Sequence, residues 1–217
     1  MEAIEIDTPH GPARAYLRPC EQPRGALVLG HGAGGGVTAP DLVAASRAAE
    51  SEGVSVVLVE QPYRVAGRRS PAPAHQLDAA FTAVVASLRA AELRDVPVVT
   101  GGRSSGARVA CRTAAATGAA GVVCLAFPLR PPARAGREPP PSRLPELEGV
   151  PVPVLVVQGA TDPFGVPPAG PAREVAVVPG GHALRSGLVG IAAIAAAFVE
   201  RVVGVSGPRC PTAPARP

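Results

Sequence analysis

Gly102-Arg103-Ser104-Ser105-Gly106 is a G-x-S-x-G sequence placed between an apolar run at 96–100 and a helical pattern at 107–117. A serine held on such a strand–turn–helix corner is exposed for attack, but its backbone is strained and crowded. Its neighbours two residues away must therefore lack a Cβ. Gly102 and Gly106 meet that need and select Ser104. Ser105 would need glycines where Arg103 and Ala107 stand. Glycine and serine are also common turn residues, so the motif requires partners. A serine nucleophile needs a base to take its proton and an acid to orient that base. Asp162 lies in Gln158-Gly159-Ala160-Thr161-Asp162, directly beyond an apolar run at 152–157. His182 lies in Pro179-Gly180-Gly181-His182, directly beyond a run at 175–178. The alternatives are a helix N-cap or turn acid for Asp162 and a surface-loop histidine for His182. Together they follow Ser104 in the order serine, acid, histidine, each after a later strand. His10, in the first turn, and His75, at a helix start, fit less well. So do Asp41, Asp78 and Asp95, placed before or within helices upstream of Ser104.

Acyl transfer also needs backbone N–H donors aimed at the developing oxyanion, each worth about 3 kcal/mol in the transition state. The residue after the nucleophile, Ser105, supplies one. The other is expected from Ala33 in His31-Gly32-Ala33-Gly34-Gly35-Gly36, which follows an apolar run at 26–29. The rival reading of that glycine run is a phosphate cradle. It does not match G-x-x-x-x-G-K-[ST], and the chain has no lysine. A G-x-G-x-x-G match at Gly30, Gly32 and Gly35 carries little weight inside a glycine run. Candidate substrate contacts are His31, Gly32, Arg103 and Tyr63. Arg64, Arg68 and Arg69 sit on the same rim and read as a solvated loop. The four cysteines, at 20, 111, 124 and 210, show no CxxC spacing, so neither a metal site nor a redox pair is expected.

The elements that must hold these residues alternate. Segments 2–7 and 13–18 alternate apolar and polar around a Thr8-Pro9-His10-Gly11-Pro12 turn, an antiparallel pair. Runs at 26–29, 54–59, 96–100, 121–126, 152–157 and 175–178 are continuously apolar, as in parallel strands covered on both faces. Leu77, Phe81, Val84, Val85 and Leu88 make one helical stripe. Leu188, Ile191, Ile194, Ala195, Phe198 and Val202 make another. Such alternation predicts one α/β domain of three layers, with about eight mostly parallel strands and helices on both faces. It spans 1–204, and 205–217 is expected to be a disordered proline-rich tail. Segment 128–153 holds nine prolines and reads as an irregular excursion rather than a helical lid.

Composition excludes several classes. The chain has 217 residues, 47% hydrophobic and 18% charged, which argues for a globular core. Every basic residue is arginine, and asparagine too is absent, a codon-bias signature. The net charge of +4 therefore does not imply nucleic acid, and 3% aromatics leave no stacking platform. The apolar stretch 186–199 is too short to span a bilayer. No signal peptide is visible at the start, and dispersed thiols fit a reducing cytoplasm.

These motifs resemble the α/β-hydrolase superfamily over about residues 2–204. They resemble more closely a small lidless branch that includes testis-expressed protein thirty, the third subunit of the nonspecific-lethal chromatin complex and many bacterial hydrolase-like proteins. The resemblance rests on Gly102-Arg103-Ser104-Ser105-Gly106, on Phe127-Pro128-Leu129-Arg130-Pro131-Pro132 and on Gln158-Gly159-Ala160-Thr161-Asp162-Pro163-Phe164-Gly165. Gln61-Pro62-Tyr63 followed by Arg68-Arg69 resembles the branch's loop after the fourth strand. Ser105 stands where such proteins often have methionine, and the early loop is unusually rich in glycine. The resemblance implies a serine hydrolase of esters, thioesters or similar acyl bonds, with a small-molecule acyl substrate and no metal or organic cofactor. It leaves open a non-catalytic scaffold keeping a vestigial triad, and carbon–carbon or lactone hydrolysis of the dienelactone-hydrolase kind.

Overall fold

The computed structural model describes residues 2–131, 138 and 140–204. The expected tail at 205–217 and part of the proline-rich excursion lie outside them. The strands are β1 (Glu2–Ile6), β2 (Ala13–Arg18), β3 (Gly25–Gly30), β4 (Val54–Glu60), β5 (Val98–Arg103), β6 (Gly121–Leu125), β7 (Val154–Gly159) and β8 (Arg173–Val178). They form one sheet in the order β1-β2-β4-β3-β5-β6-β7-β8. β1 runs antiparallel to β2, and β2 antiparallel to β4. From β4 onward each neighbouring pair is parallel.

Burial on both faces explains the continuous apolar runs. β3, β6 and β7 are buried along their whole length. One face is covered by α1 (Pro40–Ser51) and α6 (Leu188–Val203). There Leu42, Ile191, Phe198 and Val199 pack on Leu27, Leu29, Val56 and Val123. The other face carries α3 (Ala74–Ala90) and α4 (Ser105–Thr117). Leu77, Phe81, Val84, Val85 and Leu88 of α3 pack on Ala26, Val28, Val57 and Val98, as their stripe predicts. Among the described residues two short helices complete the set, α2 (Pro62–Val65) and α5 (Leu144–Glu148).

α5 breaks the expected irregularity of 128–153. A proline at its start fits a first helical turn, and Leu147 is buried beside Val150 and Val154. Its Glu146 bonds Arg108 Nε at 2.9 Å and Arg112 Nη1 at 3.2 Å on α4. β5 also departs from expectation, running to Arg103 instead of ending near Thr100. Gly101 and Gly102 look like strand breakers but pair with Val123 and Cys124 of β6. A Cβ on Gly102 would sit 2.5 Å from the Gly30 carbonyl oxygen. The glycines are thus the condition for close strand approach, and the strand delivers Ser104 directly at its end.

Candidate active site

Ser104 sits between the last residue of β5 and the first of α4 with φ 53° and ψ −108°. A non-glycine residue at positive φ is strained and persists only where its surroundings enforce it. Here the Ser104 N–H donates to the Leu125 carbonyl at 2.9 Å, and its carbonyl accepts from Arg108 N at 3.2 Å. On the far side of the corner, a Cβ on Gly106 would collide with the Gly30 carbonyl. The two glycines that select Ser104 in the sequence are those the backbone requires.

The structure brings the three expected residues together. His182 Nε2 lies 2.9 Å from Ser104 Oγ, and His182 Nδ1 lies 2.9 Å from Asp162 Oδ2. A carboxylate only accepts, so Nδ1 carries the imidazole proton and Nε2 is left to accept from the serine hydroxyl. Asp162 follows β7 and is buried. Its Oδ2 also accepts from Gln158 Nε2 at 2.8 Å, and its Oδ1 from the Phe164 N–H at 2.9 Å. The Phe164 ring lies 4.5 Å from the His182 ring, centroid to centroid. The acid and base loops are bound to each other, with Thr161 N donating to the Gly180 carbonyl at 3.0 Å. A Cβ on Gly159 would lie 2.5 Å from that same carbonyl oxygen, which accounts for glycine at the end of β7.

The early glycine loop abuts this centre. A Cβ on Gly32 would lie 3.5 Å from Ser104 Cβ. His31 is buried; its Nδ1 lies 2.8 Å from the Gly32 carbonyl oxygen, and its Nε2 accepts from Gln61 N at 3.1 Å. That pairing makes His31 neutral with the proton on Nδ1. Burial pushes its imidazole below the ordinary histidine range, while the bond to Gly32 opposes that shift. Tyr63, also buried, donates its hydroxyl to the Ala33 carbonyl at 3.0 Å. The carbonyls of Gly32 and Ala33, on either side of the Ala33 N–H, are thus each held by a side chain. Ser105 opens α4, where first-turn amides have no intrahelical partner. Ser104 makes no side-chain capping bond there.

Four residues were candidates for touching ligand, and the structure gives them protein partners. His31 and Tyr63 bond the Gly32 and Ala33 carbonyls of the glycine loop, and a Cβ on Gly32 would meet Arg103 and Ser104. Arg103 Nε forms an ion pair with Asp41 Oδ2 at 2.9 Å, and Nη2 donates to the His182 carbonyl at 3.0 Å. Arg68 and Arg69 are exposed, as a solvated loop would be, but Arg64 is half-buried in α2. His10 and His75 pair edge to face with each other, 6.3 Å between centroids.

Sequence reasoning gave no role to Gln158, Asp41 or Phe164. Gln158 directly follows the apolar run at 152–157, and the structure extends β7 over it to Gly159 and buries it. Its Nε2 lies within 3.1 Å of three acceptors, on Phe127, Asp162 and Gly165, which fixes the amide orientation. Among the described residues no group of three or more His, Cys, Asp or Glu side chains could hold a metal ion, and no helix is long and apolar enough to cross a membrane.

Comparison with known proteins agrees with this architecture. A lidless α/β serine hydrolase from Xanthomonas campestris superposes with a TM-score of 0.75 at 20% identity, covering 95% of this chain and 96% of that one. Est1E from Butyrivibrio proteoclasticus gives 0.72 at 16% identity, over 93% and 98% of the two chains. The dienelactone hydrolase of Anabaena variabilis gives 0.73 at 15%, over 91% and 95%. No curated protein sequence matches the chain. Residues 23–174, which include Ser104 and Asp162, match the family described as alpha/beta hydrolase domain. With that match over well beyond half its length, the chain belongs to the alpha/beta hydrolase domain family.

Proposed function

We propose that the protein is a serine hydrolase that cleaves a carboxylic ester, thioester or related acyl bond through Ser104, His182 and Asp162. The observation that carries this reading is the continuous Ser104–His182–Asp162 hydrogen-bond chain ending on a strained serine. In the reaction His182 Nε2 takes the Ser104 proton as Oγ attacks the acyl carbonyl carbon. The tetrahedral oxyanion is held by the N–H groups of Ala33 and Ser105. Collapse expels the alcohol or thiol, which takes the proton from His182, and leaves an acyl-serine. Water, deprotonated by His182, then attacks the acyl carbon and releases the acid and Ser104. Asp162 keeps the imidazole in the productive tautomer and stabilises its cation. The substrate is a small acyl compound. A lactone of the kind named by the Anabaena neighbour is a second substrate reading, since it is an internal ester open to the same attack. Closer kinship with the small branch of testis-expressed protein thirty rests on the shared motifs. A reducing compartment is in keeping with Cys111 and Cys124, whose thiols lie 3.4 Å apart.

A fluorophosphonate probe tests the assignment. Wild type should be labelled covalently, and Ser104→Ala should lose both labelling and at least ~10³-fold in hydrolysis of short aryl esters. Labelling that survives in Ser104→Ala, or that moves with Ser105, overturns the nucleophile. Asp162→Asn should fold and lose about 10⁴-fold in rate, the scale seen for such a swap in another triad, because an amide N–H there disfavours the Nδ1–H tautomer. Equal slow rates in wild type and variant, with no probe labelling, would favour a scaffold.

A further inference from the structure

Arg103, between Gly102 and Ser104, has a guanidinium that reaches three segments at once: α1, the loop of His182 and the early glycine loop. Nε pairs with Asp41 in the first turn of α1 at 2.9 Å. Nη2 donates to the backbone carbonyl of His182 at 3.0 Å. Nη1 lies against Gly32, where an added Cβ would be 3.0 Å away. The Asp41 side chain is fully buried and that of Arg103 is 17% exposed. Burying two charges is expensive, and an apolar pair of similar size often gives equal or greater stability. A buried ion pair is thus weak evidence for stability and a better sign that one geometry is being enforced.

We propose that Arg103, held by Asp41, is a positioning residue that clamps the backbone of the base His182 to the nucleophile corner and to the early glycine loop. The proposal rests on the hydrolase reading of Ser104 and His182. The imidazole is held at its ring by Ser104 and Asp162, but the bond to Ser104 breaks in every cycle. Between those moments the ring must stay over the departing oxygen or sulfur. A backbone anchor that takes no part in proton transfer keeps it there. The segment carrying His182 needs such an anchor, since it includes Gly180 at φ 104° and Leu184 at φ 45°. A planar fork is required because the acceptors lie in two directions. Lysine could keep the charge pair, but a single ammonium would not hold both.

The test uses two variants of the full chain. Arg103→Lys retains the ion pair and gives up the bond to the His182 carbonyl. Arg103→Met combined with Asp41→Leu removes both charges and avoids leaving Asp41 buried and unpaired. Each should melt close to wild type. In each, amide hydrogen exchange across 179–187 should quicken at least ~10-fold while β7 and α3 exchange as in wild type. Fluorophosphonate acylation should slow by about 10–100-fold, the scale of a displacement near 1 Å, with kcat lowered and KM little changed on an aryl ester. Unchanged exchange at 179–187 in both variants overturns the clamp. So does quickened exchange with acylation within about twofold of wild type. If wild type itself resists labelling, the hydrolase reading fails separately, and the exchange data alone decide whether Arg103 anchors this segment.

Discussion

Asp162 accepts hydrogen bonds from His182, Gln158 and the Phe164 amide, so both carboxylate oxygens are occupied and its rotamer is fixed. That matters because the proton it orients must stay on Nδ1 for Nε2 to act as base. A comparable arrangement surrounds His31, whose two nitrogens are both spoken for by Gly32 and Gln61. Protonating His31 would place an N–H against the Gln61 N–H inside the protein. Burial therefore lowers its affinity for a proton below the ordinary value of 6.5. The unfolded chain then binds more protons than the folded one at mildly acid pH, and stability falls as pH drops below about 6.5 toward the folded value. Melting temperature measured from pH 7 to pH 5 should decline more in wild type than in His31→Gln, which has no such proton to bind. Parallel curves would mean that His31 is not held neutral by the fold.

At the scale of elements, the corner between β5 and α4 is tightly constrained. Gly106→Ala would drive a Cβ into the Gly30 carbonyl, whereas a Cβ at Gly35 meets nothing within 4 Å. Gly106→Ala should abolish probe labelling with Ser104 intact, or fail to accumulate as folded protein. Gly35→Ala should melt within about 2 °C of wild type. Thermal melts and labelling of the two variants side by side decide it; a benign Gly106→Ala would mean that the corner has more room than the structure shows. This constraint is why so much of the site could be read from the sequence. The corner imposes glycines around Ser104, and the sheet places Asp162 and His182 just past apolar runs. Helix positions carrying large apolar residues, as in α3 and α6, were legible for the same reason. α1 was harder, because alanines make up much of its buried face, including Ala45 and Ala49. The link from Asp41 to Arg103 left no spacing rule, since the partners meet only through tertiary packing; Gln158 supports Asp162 from four residues away, but which way its amide turns is set by the fold. The bonds of His31 to Gln61 and of Tyr63 to the Ala33 carbonyl left no spacing rule either, since they too form only once the loop after β3 meets the segment after β4.

For the whole molecule, the sheet separates stability from chemistry along its length. Ser104, Asp162 and His182 all follow the carboxyl ends of their strands, where ligands bind in open α/β sheets. The apolar layers over β3, β6 and β7 run the full length of those strands, to the edge opposite the site. Phe198 belongs to that opposite edge. It is 2% exposed and packs at the start of β6, where a Cβ on Gly121 would touch its ring at 3.4 Å. It sits ten residues into α6, about 15 Å along the helix from Leu188 at the rise of an α-helix. Truncating a buried phenylalanine removes apolar contact and leaves a cavity, at about 3–5 kcal/mol. In a domain of this size each kcal/mol lowers the melting temperature by roughly 2–4 °C. Phe198→Ala should therefore melt about 6–20 °C below wild type. At 25 °C, while the variant remains folded, its rate of fluorophosphonate labelling should stay within about twofold of wild type. Scanning calorimetry gives the first quantity and timed labelling the second. A large drop in labelling with the fold intact would show that packing at this edge is transmitted through α6 to the His182 segment.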